Sequence, residues 1–164
     1  MAQTKLVKPE WLERNELENW LSLVTLMNLL STSLDAQLNK DSGISHFDYM
    51  ILSLLGQNDD RTMRLSEIAH RTAGSISRVS HAITKLEKQN WVERRPCPQD
   101  ARATNAYLTR EGFAAWLASA PKHLELVKSL MFDSLSAQER ETLKVLAQKL
   151  SAKLDPTGQA ELLS

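Results

Sequence analysis

Glycine and proline restrict this chain more than any other feature, because there are only five of each in 164 residues and they fall at breaks in a helical pattern. Between Pro9, Gly43, Gly56, Gly74, Pro96, Pro98, Gly112, Pro121, Pro156 and Gly158, apolar residues recur at three- and four-residue spacing over most of the length. A mainly α-helical chain is expected. From Glu10 to about Lys40 the stripe runs through Leu17, Trp20, Val24, Met27, Leu34 and Leu38, widened by Leu21, Leu23, Leu26, Leu29 and Leu30. A helix this apolar at the start of a small protein is expected to form a subunit interface.

Ser45 caps an expected buried helix that ends near Gly56 and is followed by the polar turn Gln57-Asn58-Asp59-Asp60. Leu65 to Ala69 open a short helix that stops at Gly74, and Ser75 caps the next. In that second helix Ile76, Val79, Ala82, Ile83 and Leu86 form the apolar face, with Arg78, His81, Lys85 and Lys88 elsewhere on the cylinder. Two helices joined by a short glycine-containing turn make a helix-turn-helix. Asn90 is a candidate left-handed helix stop. Beyond it the period changes: Trp91–Arg95 and Thr104–Leu108 read as a β-hairpin around Pro96, Pro98 and Asp100. Thr109 opens a further helix, expected to bend near Pro121, and Ser136-Ala137-Gln138-Glu139 is a capping box for the last.

The 20 basic and 20 acidic residues cancel, which taken alone argues against a nucleic-acid partner. Their distribution reverses the argument. Residues 1–60 hold 4 basic and 9 acidic residues, 61–110 hold 10 and 4, and 111–164 hold 6 and 7. The basic block therefore lies on the helix-turn-helix and hairpin, where phosphate neutralisation needs it. A helix in the major groove reads base edges from its first turns, which nominates Ser75, Ser77, Arg78 and His81, with Arg78 suited to guanine O6 and N7. Lys85, Lys88, Arg94 and Arg95 are nominated for backbone phosphate. Catalysis finds no comparable support: His46, His70, His81 and His123 lack acidic companions at ligand spacing, and there is no phosphate loop or nucleophile elbow. No metal and no cofactor is expected.

Taken in order, Leu65-Ser66-Glu67-Ile68-Ala69, Ser75-Ile76-Ser77-Arg78-Val79-Ser80, Leu86-Glu87-Lys88, Trp91-Val92-Glu93-Arg94, Asp100-x-Arg102 and Tyr107-Leu108-Thr109-x-x-Gly112 resemble the MarR family of bacterial transcriptional regulators. The resemblance implies a winged helix-turn-helix over 45–109 and a homodimer held by helices in 10–40 and 110–154, with a tail at 155–164. It also implies a pseudo-palindromic double-stranded DNA site and a wing in which Asp100 holds Arg102 for a minor groove. Thr72, Gly74 and Asn90 depart from the family pattern at the turn and before the wing. A small aromatic or anionic effector is implied as well, and Trp20, Met27, His46, Tyr49 and Met50 are candidates to line its crevice.

The resulting expectation is a cytoplasmic repressor released by a small molecule. The lone Cys97 argues for a reducing compartment, and no stretch reaches the roughly 20 apolar residues of a membrane span. Cys97 is expected to be exposed at the hairpin tip beside Arg94 and Arg95, which would make it oxidisable. The alternatives are a winged-helix module that binds protein rather than DNA, a redox-responsive regulator acting through Cys97, and a scavenger or enzyme built on the helical dimer.

Overall fold

The computed structural model describes residues 11–98 and 100–155, so Glu10 and all of the expected tail except Asp155 lie outside it. The order of elements is α1 (Arg14–Ser42), α2 (His46–Gln57), β1 (Thr62–Arg64), α3 (Leu65–Arg71), α4 (Ile76–Lys88), β2 (Val92–Cys97), β3 (Asp100–Leu108), α5 (Arg110–Val127), a π-helical turn (Lys128–Phe132) and α6 (Ala137–Leu154). The chain divides into two compact units that meet between Ser33 and Leu34, inside α1. The described part of the first unit is essentially one helix, and Trp20, Leu21, Leu23, Leu26, Met27 and Leu29 are exposed on it.

The second unit carries the core. Leu38, Ile44, Ile51, Leu52, Leu55, Ile68, Val79, Ile83, Leu86, Val92 and Leu108 are fully buried, drawn from α1, α2, α3, α4, β2, β3 and the loop before α2. Each such side chain contributes about 1.5–3 kcal/mol of burial. α2 starts where Ser45 directs it: the Ser45 hydroxyl accepts the Asp48 N–H at 3.1 Å, and the Asp48 carboxylate accepts the Ser45 N–H at 2.9 Å. The same reciprocal box starts α6 at Ser136 and Glu139.

At the turn between α3 and α4 the left-handed residue is Ala73 (φ 49°), not Gly74. The Gly74 N–H reaches Ala69 O and the Ala73 N–H reaches His70 O, closing a Schellman stop. Gly74 serves a different purpose, since a Cβ there would meet the Phe47 ring at 3.1 Å. Thr72 is buried at this stop and donates its hydroxyl to Ile68 O at 2.7 Å, so a polar residue sits there with its hydrogen bond made. The same stop ends α4, with Asn90 left-handed (φ 59°) and Trp91 N–H on Leu86 O.

The sheet has three antiparallel strands in the order β1-β3-β2, with Met63 opposite Ala106 and Arg94 also opposite Ala106 from the other side. Three residues are too few to show alternation, so β1 was not expected. The hairpin is longer than its sequence signal, and a register shift between Pro96 and Cys97 turns the thiol inward. Cys97 is buried, which corrects the expectation of an exposed, oxidisable tip. Ile76 is corrected the other way: at 60% exposed, it lies beyond the edge of the core it was assigned to.

Two close approaches fix α5. Thr109 caps it, accepting the Gly112 N–H at 3.0 Å and donating to Asn90 O at 2.8 Å, and Gly112 lies against the Trp91 carbonyl. Farther along, Trp116 spans the gap to α2, where its indole N–H donates to the Ser53 hydroxyl at 2.9 Å. Its ring fills the space a Cβ on Gly56 would occupy, at 2.5 Å. The helix continues through Pro121, and the irregular turn comes later, at Lys128–Phe132. α6 has no buried residue and exposes Leu143, Val145, Leu146, Leu150 and Leu154.

Candidate nucleic-acid interface

α4 is amphipathic in the sense that binding a groove requires. Val79, Ala82, Ile83 and Leu86 face the core, and Ser75, Ile76, Ser77, Arg78, His81, Thr84, Lys85 and Lys88 are exposed. Ser77, His81, Thr84 and Lys88 follow one another at four-, three- and four-residue steps and so form a single outward stripe. Thr84 was overlooked in the sequence, although that spacing marks it. Ser75 caps the helix through the Arg78 N–H at 3.1 Å, and the first turn holds no acidic residue, so its positive end is left for an anion.

The basic residues nominated from the sequence divide into two groups. Lys85 donates to the Asp48 carboxylate of α2 at 2.7 Å; Asp48 is only 3% exposed, so this ammonium ties α4 to α2. Arg94 of β2 pairs with Glu87 of α4 and donates to the Ser80 carbonyl at 2.8 Å. Arg95 pairs with Glu93 at 2.9 Å and stacks on Tyr107 at 3.3 Å. Lys88 and Arg102 are exposed and make no ion pair among the described residues. Arg78 rests with its guanidinium 3.9 Å from the centroid of the Phe47 ring of α2 and makes no ion pair among the described residues.

At the wing, Asp100 accepts the backbone N–H of Arg102 at 3.0 Å. No ion pair joins that carboxylate to the Arg102 guanidinium among the described residues, so the observed hold acts on the backbone, and Arg102 is exposed. An Asp at this place stiffens the strand start without neutralising the cation.

The MarR family model matches residues 44–104, the segment from the start of α2 into β3. Transcriptional repressor MprA of Escherichia coli K12 is 27% identical over 120 residues, which cover 73% of this chain and 68% of the relative. Sco3205, a MarR family transcriptional regulator from Streptomyces coelicolor solved in complex with DNA, superposes with a TM-score of 0.87 at 35% identity, over 92% of this chain and 94% of that one. The chain belongs to the MarR family. AbsC, another MarR family regulator from Streptomyces coelicolor, superposes at 0.83 with 31% identity over 89% of this chain and 98% of that one. The likeness therefore extends well beyond the 44–104 segment, into the flanking helices, as the resemblance in sequence implied for a MarR protein.

The residues nominated for an effector crevice in this MarR chain fall in both units. Trp20 and Met27 are exposed on the first part of α1. In the second unit His46 and Tyr49 both approach His123 of α5, with ring centroids 5.6 and 4.3 Å away, and Met50 packs against the core. His123 was not nominated, since nothing local in the sequence links it to α2. It is buried, with Nδ1 3.2 Å from the Gln37 side-chain oxygen. Burial lowers the His123 pKa, as does the neighbouring His46; burial likewise lowers that of His46, against the opposing charge of Asp35. Both imidazoles are thus favoured neutral in the folded chain, while the unfolded chain takes up protons below the ordinary value of 6.5. Their contribution to stability is complete above that value and is lost as the pH falls through the lowered folded values. The melting temperature is expected to drop between pH 7 and pH 5, and His123→Phe to flatten that dependence in a thermal-melt series.

Proposed function

We propose that this protein is a sequence-specific DNA-binding transcriptional regulator, acting as a repressor and as a homodimer on a pseudo-palindromic duplex. The outward stripe of α4 enters a major groove and Arg102 of the wing enters the adjacent minor groove. The observation that carries this is the exposed, acid-free start of α4 in a chain 35% identical to a protein solved in complex with DNA. The repressor role is supported by the relationship to MprA, a transcriptional repressor. The apolar residues exposed on α6, together with Leu117 and Leu124 of α5, are surface that a second copy would cover. The protein works in the cytoplasm, where its DNA is, and no helix among the described residues is long and apolar enough to cross a membrane.

Release by a small aromatic or anionic effector is part of the same reading. It is supported by the His46, Tyr49 and His123 rings, which gather apolar faces and neutral imidazoles on elements that also carry α4. Such a ligand shifts the regulator only through unequal affinity for its DNA-bound and free states.

Selecting bound sequences from a random duplex pool tests the proposal, because it reads DNA binding, symmetry and half-site spacing together. Half-sites about one helical turn apart are expected. On the selected duplex, Arg78→Ala is expected to weaken binding by about 10- to 100-fold and to relax preference at one base pair. Lys88→Ala is expected to weaken every duplex alike and lower the salt slope by about one. A gel-shift titration in which Arg78→Ala kept both affinity and preference would remove α4 from the groove.

A further inference from the structure

Arg94 has the densest set of polar contacts among the described basic residues, and all of them lie on α4. Its backbone N–H donates to Glu87 Oε1 at 3.1 Å, and its Nη1 pairs with Glu87 Oε2. Its Nη2 donates to the Ser80 carbonyl at 2.8 Å, the Ser80 hydroxyl at 3.1 Å and the Thr84 hydroxyl at 3.0 Å. Ser80, Thr84 and Glu87 stand at four- and three-residue steps, so the guanidinium lies along two turns of one flank of the helix. That flank meets the outward stripe at Thr84, which belongs to both. A cation with this many fixed acceptors is poorly placed to neutralise a phosphate and displace its counterion.

We propose that Arg94 and Glu87 form a bracket that fixes the angle between the wing and the recognition helix, so that Arg94 is a positioning residue and not a phosphate ligand. The inference rests on the DNA-binding reading given above. Its physical basis is leverage. From Arg94 to the hairpin tip at Pro98 the strand rises about 13 Å, so a tilt of about 10° at the base carries the tip roughly 2 Å. Hydrogen bonds in a groove do not survive an error of that size. Arg95, next along the strand, points to the opposite face, where Glu93 and Tyr107 hold it. Arg94 is therefore the guanidinium on β2 directed at α4.

The sign of the Glu87 effect separates the two roles. If the only relevant quantity were charge near DNA, removing an acid would tighten binding. The bracket requires the reverse: Glu87→Ala and Arg94→Ala each weaken the selected duplex by about tenfold, and the double variant is no weaker than either single one. The salt slope stays at the wild-type value in all three, whereas loss of a phosphate contact lowers it by about one. Hydroxyl-radical footprints should lose the minor-groove flank and keep the major-groove centre. Glu87→Ala binding as tightly as wild type or tighter, with Arg94→Ala losing a unit of slope, overturns the bracket. Amide exchange on the free protein supplies the test without DNA: Glu87→Gln should speed exchange in β2 and β3 and leave α2 protected, and unchanged exchange there also overturns it. If wild-type protein retards no duplex at low salt, the DNA-binding reading fails by itself and the exchange result still decides the bracket.

Discussion

Among the described glycines, Gly112 is the one whose replacement with alanine is expected to be most damaging. A Cβ at Gly112 would run into the Trp91 carbonyl and come within 2.8 Å of Leu108 Cδ1. Neither neighbour can yield cheaply. Leu108 is fully buried, and the Trp91 carbonyl accepts the Thr109 N–H at 3.0 Å, which joins the end of the hairpin to the start of α5. Backbone clashes of this kind cost about 3 kcal/mol or more, a large part of the stability of a small domain. Chemical denaturation of Gly112→Ala should show that loss, and Gly112→Ser should be at least as damaging. An alanine variant within about 0.5 kcal/mol of wild type would mean that α5 can slide away from the hairpin.

The second large effect belongs to Asp48. Its carboxylate is nearly inaccessible, closes the capping box of α2 and receives Lys85 from α4. Asp48→Ala removes the reciprocal half of the capping box, leaving Ser45 as the cap, together with a charge-assisted hydrogen bond, for a loss of about 2–4 kcal/mol. Asp48→Asn keeps an acceptor for the Ser45 N–H and should cost less. Lys85→Met keeps the aliphatic stem but leaves the carboxylate without its cation, and is expected to lose about 1–3 kcal/mol of stability. Its effect on DNA affinity, measured below the melting range, should be small. A Lys85→Met variant that melts like wild type but loses a unit of salt slope would return Lys85 to the phosphate backbone.

Lys85 and Arg94 show why the fold was more legible in the sequence than the site. Caps, stops and helix faces are local, and Ser45 with Asp48 or Val79 with Ile83 and Leu86 can be read within a turn or two. A cation, by contrast, is counted from the sequence without its partner. Asp48 precedes Lys85 by 37 residues, and no spacing rule joins them. Glu87 and Arg94 are closer in sequence, but they lie on a helix and a strand whose contact depends on the turn at Asn90. The sum over 61–110 remains basic, yet three of its nominated cations already have carboxylate partners within the chain. β1 and the inward Cys97 were missed for a related reason. A three-residue strand has no period to detect, and a bulge reverses a side chain without leaving a mark in composition.

The indole of Trp116 gives the second unit its mechanical character. Seated in the notch at Gly56 and tethered to Ser53, it keys α5 to α2 as a tooth is keyed to a slot. Two smooth helices can slip past each other in small shear steps, but a keyed pair turns as one piece. The helix that exposes Leu117 and Leu124 is therefore joined to α2 by a fitted contact, and α2 is joined to α4 by Asp48 and Lys85, so the three helices form one connected line of contacts.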